Sequence, residues 1–373
     1  MTWTILLRTA YLLMSLVAPD WAPAMAWVAE PVEERPVTYP SSGAPIHARL
    51  YQPQRAGERA GLVLTHGMAW AGMDDPRIVT LARRLAECGF VVLTPDLDPL
   101  KRFQLSIHSA DQIRDAALYL QALPRVYDDR VGLFGLSYAG SLSFIAAAAP
   151  ELRGRLRWVT SFGGYWDFEE LVRYTLTGSY RGAPAAALLE PQLYGRLAIY
   201  YNYPELLEAG LETEAFKEIC YWGLHHDYDR ADALRDSLSR GGRAILRSFW
   251  GMSGDNPCVG HERFQAWRAE RGPYLRRMAL ASWIDQVRLP EAFLLHSEQD
   301  SLVPAVESRL LADALRRRGT KVHLEITPLF HHIDALRGDG GAQTVLDWRR
   351  LRQVWSLYRF FVPLLALAQD PRQ

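Results

Sequence analysis

Chemistry enters this chain at Val131 to Gly140, where Val-Gly-Leu-Phe-Gly-Leu-Ser-Tyr-Ala-Gly sets Ser137 among small residues between a buried apolar run and an Ala-rich helix. A tight strand-to-helix turn of this kind pushes a serine hydroxyl out at the C-terminal edge of a sheet, the geometry of a nucleophile elbow. A serine in such a loop can instead serve only as a helix N-cap. The strand before it, the small-residue helix after it and its place late in the first α/β half favour the nucleophile. A serine hydroxyl attacks poorly unless a base takes its proton and an acid orients that base. The run Phe293 to Pro304 ends a strand on Asp300, with Glu298 as the rival acid, and opens a helix at a proline. The next strand runs into Thr327-Pro-Leu-Phe-His331-His332-Ile-Asp334, which brings histidines to the same edge. Neighbouring side chains leave an extended chain on opposite sides, so only one of His331 and His332 can face the serine.

The elements that must position these residues follow from periodicity. Apolar runs at 61–65, 90–94, 131–134, 158–162 and 292–296 predict strands of a parallel sheet, and 321–326 predicts a further strand. Helical spacing at 76–88, 109–123, 138–149, 304–318 and 345–367 predicts helices between them, as in an α/β protein with a mostly parallel sheet flanked by helices. Asp74 and Asp75 cap the first of these helices and Gly89 stops it. Residues 165–285 break the rhythm: they are rich in Tyr, Trp and Phe and lack strand alternation, so they predict a helical, aromatic insertion. The expected organisation is 1–26 as a leader, 27–164 as the first part of the core, 165–285 as the insertion and 286–373 as the second part of the core.

The elbow, the Asp-x-x-Val-Pro turn and the chain order Ser137, Asp300, His332 resemble the α/β-hydrolase superfamily, and within it the dienelactone-hydrolase-like and carboxylesterase branches. The resemblance covers about residues 45–163 and 286–368. It departs at Ala139, where a glycine is usual two residues after the nucleophile. It implies an α/β-hydrolase fold with a helical cap and cleavage of a carboxylic ester or related acyl bond through an acyl-enzyme on Ser137. Phe330-His331-His332-Ile333-Asp334 is similar to a Phe-x-His-(Ile or Val)-Asp segment of related hydrolases, which makes His332 the base and Asp300 its orienting acid. Thr65-His66-Gly67-Met68 resembles the family's His-Gly turn, which implies an oxyanion hole from the backbone N–H groups of Met68 and Tyr138; the His66 imidazole is expected to be structural. No cofactor or metal is implied. An acyltransferase or peptidase with the same triad, or a hydrolase-like binding protein that has lost catalysis, are the alternatives.

Composition narrows the rest. Lys plus Arg and Asp plus Glu both number 42, so the basic excess that a phosphate backbone needs is absent and nucleic acid is excluded as an expected partner. Three cysteines, Cys88, Cys220 and Cys258, form neither a disulfide framework nor a CxxC zinc motif. His225-His226 with Asp227 and Asp229 reads as a solvated turn, and adjacent His331 and His332 as poor co-ligands for one ion. Arg8, the uncharged run Thr9 to Ala18 and the A-x-A site at Ala24-Met25-Ala26 predict a secretory leader cleaved before Trp27, hence a secreted or periplasmic protein, with an N-terminal membrane anchor as the alternative. The expected partner is a small apolar ester or acyl substrate.

Overall fold

A computed structural model of the 373-residue chain describes residues 2–41, 43–180, 189–206, 212–243, 246, 261–329 and 348–369. The elements in chain order are α1 (Trp3–Val17), β1 (Val32–Tyr39), β2 (Ile46–Pro53), β3 (Arg59–Thr65), α2 (Pro76–Glu87), β4 (Val91–Pro95), α3 (Asp98–Lys101), α4 (His108–Gln121), β5 (Val126–Leu136), α5 (Tyr138–Ala147) and β6 (Leu156–Phe162). After them come α6 (Phe168–Thr177), α7 (Leu193–Asn202), α8 (Thr213–Leu224), α9 (Tyr228–Arg235), α10 (His261–Met278), β7 (Glu291–Ser297), α11 (Val306–Arg317), β8 (Lys321–Thr327) and α12 (Trp348–Ala366).

Among the described residues the strands form one sheet in the order β1-β2-β4-β3-β5-β6-β7-β8. The pairs β1·β2 and β2·β4 are antiparallel, and every pairing from β4 to β8 is parallel. Five of the parallel strands, β3 to β7, coincide with apolar runs, because helices cover both faces and leave no side of the strand for polar residues; β8, at the sheet edge, is half-buried and carries Lys321, His323 and Glu325. Along β3, Leu62 and Leu64 face a core shared with α1, α2 and α12, while Val63 faces the opposite core with α4 and α5. The β1–β2 hairpin escapes the sequence reading: Val-Glu-Glu-Arg-Pro-Val-Thr-Tyr is a half-exposed edge with charges and a proline, which an edge strand tolerates and an apolar-run search passes over.

Local chemistry sets the helix ends. Asp75 accepts the Arg77 N–H at 2.9 Å and Pro76 opens α2, whose Ile78, Leu81, Ala82, Leu85 and Ala86 are buried; Gly89 follows at φ +114°. Asp167 caps α6 by accepting from the N–H groups of Glu169 and Glu170, and Gly178 ends it in the left-handed region. Between β6 and β7 the described residues form helices and no strand, packed around the fully buried rings of Tyr165, Phe168, Tyr174, Tyr200 and Phe216.

Helix α1 (Trp3–Val17), which falls within the 1–26 segment read from sequence as a leader, lies against the core. Ile5, Tyr11, Leu12 and Leu13 of α1 are buried in one cluster with Leu357, Phe361 and Leu364 of α12. Arg8 pairs with Glu30 at 2.6 Å, and the Tyr11 hydroxyl donates to Glu87 at 2.7 Å. Among the described residues no helix is long and apolar enough to cross a membrane.

Candidate active site

Ser137 occupies the turn between β5 and α5 with φ +54° and ψ −129°, a conformation that costs a non-glycine residue about 1–3 kcal/mol and persists only where the surroundings enforce it. Two backbone bonds do so. The Ser137 N–H donates to the Phe162 carbonyl at 2.6 Å, and the Gly140 N–H donates to the Ser137 carbonyl at 2.8 Å. The Ser137 side chain makes no capping bond to α5, so it is not there as an N-cap, and it is partly exposed between buried Leu136 and Tyr138. The N–H of Tyr138 begins α5, in the first turn, where helix geometry supplies no backbone acceptor.

The turn explains its own glycines. A Cβ on Gly135 would lie 2.2 Å from the Ala139 carbonyl oxygen and 2.6 Å from the Gly140 nitrogen, so only glycine lets the start of α5 fold back onto the end of β5. A Cβ on Gly140 would lie 2.3 Å from the Ser161 hydroxyl of β6. Close approach on the helix side therefore belongs to Gly140; Ala139 is fully buried and keeps its methyl in the core.

Asp300 follows β7, two strands along the same edge, with its side chain wholly removed from solvent. Its Oδ1 accepts the N–H groups of Leu302 and Val303 at 2.9 and 2.8 Å, which fixes the carboxylate before α11 begins. Glu298 is exposed. His331 and His332 lie outside the described residues. Among the described residues, His296 lies beside Asp300, with Nε2 3.4 Å from Oδ2. It was not singled out from sequence, and its ring is fully occupied: Nε2 donates to the Val303 carbonyl at 2.8 Å and Nδ1 lies 2.6 Å from the Ser308 hydroxyl. His296 thus braces the Asp300 turn, with both ring nitrogens engaged by Val303 and Ser308.

On the other flank, after β3, His66 is buried, and burial holds its pKa below the ordinary histidine value. Nδ1 donates to the Gly67 carbonyl at 2.7 Å and Nε2 accepts the Leu97 N–H at 3.2 Å, the neutral and structural role expected of it. A trans peptide is planar, so holding the Gly67 oxygen also sets the direction of the Met68 N–H, which points the opposite way within that plane. The Met68 carbonyl is held in turn by the Tyr194 hydroxyl of α7 at 2.9 Å.

Ser137, Tyr138 and Met68 line one cleft of about 1070 Å³. Its wall is largely apolar, with Phe103, Leu105, Tyr165, Phe168, Ile199 and Leu224 contributing, and Asp74, Asp75, Arg77 and Lys101 also line it. Those charges are compensated: Arg77 pairs with Asp75 at 2.7 Å, Lys101 with Asp96 at 2.7 Å and Arg49 with Asp74 at 2.5 Å. Which residues of the aromatic insertion reach this wall, Phe168 and Leu171 from α6 and Tyr194 and Ile199 from α7, was not legible in the sequence, because packing between distant segments leaves no spacing pattern.

The doublet His225–His226 does not converge on a common point. His225 Nδ1 lies 2.9 Å from the Tyr221 carbonyl, whereas the His226 ring stacks on Tyr194 in the cleft wall. Among the described residues no group of three or more His, Cys, Asp or Glu side chains is arranged to hold a metal ion. Behind the cleft, Glu307 of α11 accepts the N–H groups of Trp166 and Asp167 at 2.6 and 3.0 Å, joining α11 to the start of α6. Complete burial pushes its carboxyl up to about 8 despite those two bonds.

No family model matches the sequence, and no curated protein does. Solved structures do. A variant of the esterase rPPE superposes with a TM-score of 0.51 at 15% identity, over 96% of this chain and 92% of that one. An esterase from the fungus Rhizomucor miehei gives 0.50 at 13% identity, over 95% and 91%. A dienelactone hydrolase-like promiscuous phosphotriesterase from metagenomic libraries gives 0.47 at 14% identity, over 90% and 98%. With this sheet order, a strained serine turn after β5 and two esterases superposing over nearly their whole length, the chain has the α/β-hydrolase fold.

Proposed function

We propose that the protein is a serine hydrolase that cleaves a carboxylic ester or related acyl bond through an acyl-enzyme on Ser137. The observation that carries this reading is the strained backbone of Ser137 at the edge of a 1070 Å³ cleft, a cost that a structural serine gives no reason to keep. In the mechanism, His332 takes the proton from Ser137 Oγ as that oxygen attacks the acyl carbon. Negative charge moves to the carbonyl oxygen, where the N–H groups of Met68 and Tyr138 receive it. The imidazolium then protonates the departing alcohol, and water, deprotonated by the same His332, releases the acid from the acyl-enzyme. Asp300 holds the base in the required tautomer and stabilises its charged form. The buried, doubly hydrogen-bonded Asp300 supports this assignment over exposed Glu298.

An apolar wall with compensated charges favours an uncharged substrate with hydrophobic acyl or alcohol groups. A panel of nitrophenyl esters tests the reading. Neutral esters with hydrophobic groups should exceed anionic or sugar esters in kcat/KM, and no turnover of any ester by clean protein would refute it.

A further inference from the structure

We propose that Tyr194 of α7 is a positioning residue that sets the oxyanion turn from the helical side of the cleft; this rests on the serine-hydrolase reading above. Two successive carbonyls of the turn are held by side chains from opposite sides. His66 holds the Gly67 oxygen from within the core at 2.7 Å, and Tyr194 holds the Met68 oxygen at 2.9 Å. The two tethers hold the peptide planes on either side of Met68: His66 sets the plane that carries the Met68 N–H, and Tyr194 anchors the plane that follows, so the first cannot swing while the second is held. The Tyr194 ring is itself located. It stacks on His226 with centroids 5.9 Å apart and planes 18° apart, and His226 has a left-handed backbone (φ +60°) and its Nδ1 3.3 Å from the Tyr228 hydroxyl. Burial raises the Tyr194 phenol above its ordinary value, so it remains a donor across the working pH range. One hydroxyl thus connects the placement of α7 to the placement of a backbone donor, and the segment between β6 and β7 acts on the reaction without touching the reacting atoms.

The test is Tyr194→Phe, which removes one oxygen and keeps the ring against His226. Losing a direct oxyanion donor costs about 10²–10³ in kcat, and loosening the peptide that carries one should cost about tenfold. The expected result is a kcat about tenfold lower with KM within about twofold, and an equal loss of affinity for a boronic acid that forms a tetrahedral adduct on the serine. Unchanged kcat and boronate affinity, or a raised KM with unchanged kcat, would overturn the proposal and leave Tyr194 as wall. Fluorophosphonate labelling of the wild type separates the two readings. A wild type that labels at Ser137, with a variant that matches it in kcat, overturns the positioning role alone, whereas a wild type that takes no label refutes the serine reading and this proposal with it.

Discussion

Asp300 and Glu298 stand two residues apart after β7, yet one is buried with its carboxylate tied to two backbone N–H groups and the other is in solvent. Asp300→Asn should therefore lower kcat by about 10³-fold or more, because an amide holds the base in the wrong tautomer, while Glu298→Gln should stay near wild type in the same assay. The reverse ranking would move the acid to Glu298. The base is tested by a second pair. His332→Ala should remove about 10³-fold or more of activity together with the rise of kcat/KM with pH that a deprotonating base produces, and His331→Ala should leave both largely in place. At this scale the strained serine turn and the carboxylate at a strand end were legible, because both are local patterns. His296 was not legible: inside the apolar run Phe293–Leu–Leu–His it looks like any core residue, and its role as a brace depends on Val303 and Ser308, which only the fold brings to it. Tyr194 is further from view, since its partner Met68 lies 126 residues away.

Elements reach the site through backbone contacts that tolerate little change. Gly135→Ala places a methyl against the Ala139 carbonyl at 2.2 Å, a backbone neighbour that cannot swing aside, so the β5–α5 turn must open. A loss of about 3 kcal/mol or more in chemical denaturation is expected, with activity falling in the protein that remains folded. Glu307 joins α11 to α6 with a carboxyl pushed up to about 8 by burial. Its folded value lies above its unfolded one, so the stability it contributes is fully present below about pH 4.5 and is lost as pH rises through about 8. The melting temperature should accordingly fall between about pH 4.5 and 8, and Glu307→Gln, which stays neutral, should flatten that fall; an unchanged slope in the variant would contradict the assignment. The inner parallel strands β3 to β7 were readable because burial on both faces writes itself as an apolar run. The β1–β2 hairpin was not, because half-exposed strands with charges look like loop.

At the scale of the whole molecule, the sheet order sets the strand before Ser137 two places from the strand before Asp300, and α6 and α7 close the cleft over the edge they share. The α/β layering was legible from alternating runs and helical spacing; the way α1 packs on α12 was not, because an apolar N-terminal helix carries the same sequence signal as a leader. Export with cleavage before Trp27 remains our proposal for localisation, and it requires residues 27–373 to stay folded without α1. N-terminal sequencing of protein from its native host checks it: Trp27 supports export, and a chain still carrying residues 3–17 contradicts cleavage there. The central claim is the covalent chemistry of one serine, and intact-protein mass spectrometry after treatment with a fluorophosphonate probe tests it most directly. The account predicts a single adduct per chain, mapped to the peptide holding Ser137 and absent from a folded Ser137→Ala variant. A wild type that stays unmodified, or a variant that labels equally, would contradict it.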